Sequence, residues 1–223
     1  MRAPVLDVTF NASGAAAAGA AGRVVVIVDV VDSSTSAEAA LASGAMEVLG
    51  AAPAGVSPPA DVDPAAVGRR AATLAARAGT DVVVVAEPRV GTDNERRHRA
   101  LPVLQALRTA SIEYELVPNQ GAELPRLIDL DGRIVVVISA TGGTAFDAAL
   151  AGGAPAVTFA TSARSQGRTG WEVLEDGAKR AIKLAREHRA GLTIAAATAN
   201  SADDVVAAFE LARAILSEGF LRI

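Results

Sequence analysis

Apolar residues fall into short runs, separated by stretches with helical spacing. Four runs are continuous and mostly β-branched: Val24–Val30, Asp81–Val85, Ile134–Ile138 and Leu192–Ala196. They lack the alternation of a half-exposed strand and read as strands covered on both faces. Weaker runs lie at Val5–Phe10, Met46–Leu49, Ile112–Val117 and Ala156–Phe159. Helix candidates lie between them at about 36–44, 65–78, 95–109, 144–151, 171–189 and 203–217. This order predicts an α/β fold, a three-layer α/β/α domain with a largely parallel central sheet, taken as one domain over residues 1–223. The Ala/Gly segment 14–22 reads as a connection between the first two strands. The proline-bearing stretch Ala51–Asp63 reads as a surface loop, because the chain before it already holds a central strand. No internal repeat is visible. In the helix over 171–189, acids come early and bases late, which suits the helix dipole, with His188 as a C-terminal charge and Trp171 as a packing anchor.

Composition narrows the chemistry. The 223 residues are 51% hydrophobic, 21% charged and 3% aromatic, enough to bury a core without staples. Absence of cysteine excludes disulfides, thiolate zinc sites and cysteine nucleophiles. The two histidines, His98 and His188, do not make a multi-histidine metal site. A net charge of −4 gives no global attraction to nucleic acid. No apolar run approaches the ~20 residues of a membrane span, and Asp7 and Asn11 interrupt any signal-like segment. The expectation is a cytoplasmic protein with no nucleic-acid or membrane partner. α/β enzymes of this size commonly dimerise, so a homodimer is the base expectation.

In open α/β sheets, ligands bind beyond the carboxyl ends of the strands, and four polar stretches follow the central strands. After Val24–Val30 come Asp29, Asp32, Ser33, Ser34, Thr35 and Ser36. The hydroxyls serve as helix caps or as anion donors. A carboxylate at Asp29, inside an apolar run, needs a partner or a metal. After Ile134–Ile138 come Ser139, Thr141, Gly142, Gly143 and Thr144, either a tight strand-to-helix turn or an oxyanion cradle of backbone amides. After Asp81–Val85, Glu87 and Arg89 form a surface ion pair or a site, and the basic run Arg96-Arg97-His98-Arg99 reads as a solvated helix face or as a holder of a second anionic group. After Leu192–Ala196, Ser201 and Asp204 have capping-box-like spacing, with Asp203 adjacent. Carboxylates, hydroxyls and glycine amides on one edge describe metal-assisted hydrolysis of a phosphate ester.

The order of these stretches resembles the 2-phosphosulfolactate phosphatase family, magnesium-dependent enzymes linked to coenzyme M biosynthesis. Its DVLRATST-like stretch followed by ALANGA matches Asp29–Ser36 and Ala40–Ala45. Its GER-x-G element looks like Glu87–Gly91, its GNSP element is echoed at Pro118–Gly121, and its TTNGT element is similar to Ala140–Thr144. Its closing acidic element resembles Ser201–Val205. Asp32 and Gly142 depart from the family's Arg and Asn, and of the GNSP match only Asn119 is kept. The resemblance implies Mg²⁺ held by Asp29, Glu87 and Asp204, the residues that would also carry catalysis. Ser33, Ser34, Thr35, Thr141, Gly142, Gly143 and Thr144 would bind the phosphoryl group, and Arg89 and Asn119 would orient the ligand. The substrate implied is a small anionic phosphorylated hydroxy acid, attacked by water or by Asp29 itself.

Three other readings remain. A degenerate member would bind an anionic ligand without turnover. Asp32-Ser33-Ser34-Thr35-Ser36 also fits the D-x-S-x-S pattern of a von Willebrand A-like, metal-dependent binding module. A haloacid dehalogenase-type phosphatase needs D-x-D spacing, whereas Asp29 and Asp32 are three apart.

Overall fold

A computed structural model describes residues 5–221. It contains β1 (Leu6–Phe10), α1 (Asn11–Ala20), β2 (Val24–Val28), α2 (Ser33–Ala42), β3 (Glu47–Ala51), α3 (Pro64–Ala78), β4 (Val82–Ala86), α4 (Asp93–Arg99), α5 (Leu101–Thr109) and β5 (Tyr114–Pro118). A 3-10 turn at Gly121–Arg126 leads to β6 (Ile134–Ile138), α6 (Gly142–Ala151), β7 (Val157–Ala160), α7 (Gly170–His188), β8 (Leu192–Ala196) and α8 (Ala202–Ser217). The fold is α/β, with helices flanking parallel strands in a three-layer arrangement.

The expected single sheet is two four-stranded sheets, ordered β1-β8-β2-β7 and β5-β4-β6-β3, each with every pair parallel. Replacing each strand of the first by its counterpart (β1 by β5, β8 by β4, β2 by β6, β7 by β3) gives the second. The molecule is therefore an internal repeat, which corrects the expectation of none. Ala39-Ala40-Leu41-Ala42-Ser43-Gly44-Ala45 recurs as Ala148-Ala149-Leu150-Ala151-Gly152-Gly153-Ala154, each residue 109 positions later (148 − 39). Backbone repeats with it: Gly44 and Gly153 have φ of 90° and 97°. The residues before α2 and α6, Asp32 and Thr141, share unusual dihedrals, φ −112°, ψ −93° and φ −106°, ψ −87°. Side chains diverged while these turns persisted, so the sequence pattern alone hides the repeat.

The repeats are interleaved. β2 lies in the first sheet, but α2 carries the chain to β3 in the second; β6, α6 and β7 make the reverse crossing. One apolar core joins both sheets through Ile27, Leu49, Val84, Val136, Phe146 and Phe159. Another packs α7 and α8 on the first sheet through Leu174, Ile182, Ile194 and Leu211. Phe146 and Phe159 stack with centroids 4.9 Å apart beside Gly50, where a Cβ would meet both.

All eight expected strands form, with ends shifted by up to two residues. Segment 14–22 does connect the first two strands, and most of it does so as the helix α1. That helix has no apolar stripe to announce it; its small residues pack closely on α6. A Cβ at Gly19 would collide with the Ala149 carbonyl, and one at Gly152 with the Ala16 carbonyl. The helix expected at 95–109 divides at Ala100, ahead of Pro102, into α4 and α5. Among the described residues, no helix is long and apolar enough to cross a membrane.

Candidate functional site

Side chains cap several helix N-termini. Asp63 caps α3, while Thr92 with Glu95 and Thr169 with Glu172 form capping boxes on α4 and α7. Asp32 and Thr141 make no such bond to α2 and α6. Asp29 serves both helices instead. Its Oδ2 accepts N–H bonds from Ser33 (3.3 Å) and Gly142 (2.8 Å), the first residues of the two helices. It also accepts from Ser33 Oγ (2.8 Å) and Thr141 Oγ1 (2.8 Å). Asp29 is only 3% exposed, and two helix dipoles plus four donors stabilise its charge without a metal. All four bonds fall on Oδ2.

Around Asp29 stand three further carboxylates with poorer provision. Asp204, in the first turn of α8, accepts the Val30 N–H (2.9 Å). Burial raises its pKa to about 6, against that N–H and with help from the charges of Asp29 and Asp32. Burial also raises Asp32, and the Asp29 charge adds to this, while Arg89 opposes it. Glu87 follows β4 directly. Burial pushes it up to about 7, reinforced by Asp32 and Asp29, with Arg99 and the Ala140 N–H pulling the other way. Its Oε2 meets Arg99 Nη2 at 3.4 Å, and its Oε1 is buried without a hydrogen-bond partner. An unpartnered buried carboxylate oxygen is costly, and it marks a place where a cation or donor would be stabilised.

The structure therefore places Glu87 and Asp204 each near Asp29 and adds Asp32 and Arg99. Sequence reasoning leaves the basic run between a solvated face and a second anion site and does not single out Arg99. Its three-residue spacing from Arg96 was the available signal, since residues three apart share a helix face. Arg96 is itself buried, donating to the Pro88, Arg89 and Gly91 carbonyls and pairing with Asp93.

The residues expected as a phosphoryl cradle are engaged with groups of the protein itself. Thr141 and Gly142 spend their donors on Asp29. Gly143 is packed against the Ala51 and Val137 carbonyls, and Thr144 Oγ1 donates to the Ser139 carbonyl. On the other loop, Ser33 binds Asp29, Ser34 donates to the Ile27 carbonyl, and Thr35 donates to the Val30 carbonyl and meets Thr161. Asn119 is buried, accepting from Ser36 and the Gly121 N–H. The hydroxyls satisfy nearby protein groups, because strand-to-helix turns leave N–H and C=O groups open to such partners. The same inward bonds of Ser34 and Ser36 remove the D-x-S-x-S reading. The capping-box reading of Ser201 and Asp204 also fails: Ser201 makes no side-chain cap, and Asp204 reaches across to the β2 loop. Arg89 keeps its place at the rim, Nε donating to the Asn119 carbonyl (3.1 Å) and Nη2 to the Val31 carbonyl (3.3 Å).

Compared with models of known protein families and with curated proteins, the chain matches none of them.

Proposed function

We propose that the chain is a Mg²⁺-dependent hydrolase of a small phosphorylated hydroxy acid, as its motif order resembles. The observation that supports this most is Glu87, raised to about 7 with an unpartnered buried oxygen near Asp32 and Asp29. Among the described residues, no group of three or more His, Cys, Asp or Glu side chains converges closely enough to hold a metal ion. Mg²⁺ commonly takes only one or two carboxylates and keeps several waters. Glu87 and Asp32 fit that demand, while Asp29 and Asp204 each commit one oxygen to backbone N–H groups. Bound there, Mg²⁺ would offset the crowded charge and polarise a phosphoryl oxygen. Arg89 and Arg99 flank the two carboxylates and would orient the anionic parts of the substrate. Asp29 and Asp204 would hold the loops that carry them.

Asp29→Ala is a poor test, because it strips two helix N-termini of their acceptor. Glu87→Gln keeps the shape and removes one charge. Phosphate release from a panel of phosphorylated hydroxy acids should require Mg²⁺ in the wild type. It should fall about a hundredfold or more in Glu87→Gln. Failure to release phosphate from any member overturns the hydrolase reading. Magnesium binding that Glu87→Gln abolishes, without turnover, would leave the non-catalytic, anion-binding relative.

A further inference from the structure

Outside this site, two surfaces depart from what helices on a soluble face normally present. On the outer side of α7 and α8, Trp171, Val206, Phe209 and Leu216 are 42–55% exposed. Val206, Phe209 and Leu216 lie three and seven residues apart, on one helix face. Trp171 is held in place: its Nε1 donates to Glu175 at 2.7 Å, and the Arg213 guanidinium lies 5.1 Å from the ring centre. This exposure corrects the expectation that Trp171 anchors packing within the fold. A fixed, half-exposed aromatic in an apolar stripe has the character of an interface anchor.

The second surface is a groove of about 870 Å³ between α3 and α5. Small side chains such as Ala65, Ala72, Ala76 and Ala106 line it, and its charged lining residues are Arg69 and Arg77. Among the described residues, Arg77 has no ion-pair partner.

The internal repeat relates the two surfaces. α3 and α7 precede the equivalent strands β4 and β8, and α5 and α8 follow them. Ala65 is the second residue of α3, as Trp171 is of α7. One repeat carries the large side chain where the other leaves room. Charge differs in part. In the groove Arg69 is paired with Asp63 at 3.1 Å, which leaves Arg77. On α8 beside the ridge lie Asp203 and Glu210, with Arg213 held over Trp171.

We propose that the α7–α8 ridge of one molecule seats in the α3–α5 groove of a second copy. Groove against groove would face Arg77 with its own copy and leave both grooves empty. The unlike pairing sets Arg77 against Asp203 and Glu210 and fills the groove with the apolar ridge. Such a contact is head-to-tail, so every open assembly keeps one free ridge and one free groove until a ring closes.

The test is sedimentation velocity with light scattering on the full chain over a concentration series. Wild type should associate with rising concentration, and less so at high salt. Phe209→Glu on the ridge and Ala76→Glu in the groove replace exposed residues, so circular dichroism should show both folded. Each should weaken self-association about tenfold or more. Mixed in equal amounts they should form a heterodimer, because one retains its groove and the other its ridge. A wild type monomeric at every concentration overturns the proposal. So does association that survives either substitution, or a mixture that yields no heterodimer.

Discussion

Four carboxylates sit together, and one of them, Asp29, takes most of the hydrogen-bond donors. Asp29 places one oxygen at the starts of α2 and α6, and burial there is compatible with its charge. Glu87 and Asp204 have fewer donors, and burial raises them to about 7 and about 6 from ordinary values of 4.5 and 3.8. The folded chain therefore holds these protons more tightly than the unfolded chain. Their stabilising protonated forms are fully present below about pH 4 and are lost as pH rises to about 7. For Glu87 the effect is about 3 kcal/mol at most. In chelator, the melting temperature should fall between about pH 5 and about pH 8. Glu87→Gln should flatten that fall, and Mg²⁺ should raise the melting temperature more at the upper end, where it meets ionised carboxylates. A melting temperature that stays level or rises with pH in chelator would contradict this account. The sequence marked Asp29 as an acid in need of a partner. It did not show that the partner begins another helix, with Gly142 113 positions away, because that proximity exists only in the folded topology.

At the scale of elements, the buried strands were the most legible part of the chain. Continuous Val and Ile runs leave few alternatives, and β2, β4, β6 and β8 all form within such runs. α1 was illegible for the opposite reason. A helix built from Ala and Gly gives no periodic contrast, and its formation depends on the surface that receives it. Gly19 and Gly152 allow α1 and α6 to approach so closely that either Cβ would strike a carbonyl of the other helix. Replacing Gly19 by Ala gains about 1 kcal/mol of helix propensity. Backbone, however, yields less readily than a side-chain tip, and overpacking of this kind costs about 1–3 kcal/mol. Gly19→Ala should thus lower the urea midpoint, while Ser13→Ala, on the exposed side of α1, should change stability by less than about 0.5 kcal/mol. Equal stability of Gly19→Ala and wild type would show that the helices can separate without loss.

For the whole molecule, the decisive property is that neither sheet belongs to one half of the chain. The first takes β1 and β2 from the first repeat and β7 and β8 from the second; the other sheet takes the remaining strands. Removing either repeat would leave both sheets with half their strands. The crossing helices α2 and α6 also begin at the shared carboxylate of Asp29, so the candidate site sits where the repeats are tied together. One sheet should therefore not open while the other stays intact. Amides of β2 and β8 in one sheet and of β4 and β6 in the other should exchange with hydrogen at the same highest opening free energy, equal to that from urea unfolding. Tyr114 in β5 and Trp171 on α7 report on opposite sheets, and their fluorescence transitions should coincide. Separate transitions, or one sheet exchanging through a cheaper opening, would show that the crossings do not couple the sheets. Coincidence would mean that a substitution at the Asp29 junction is felt in both sheets at once. Glu87, which merely borders the junction, can then be changed with its effect confined to the site.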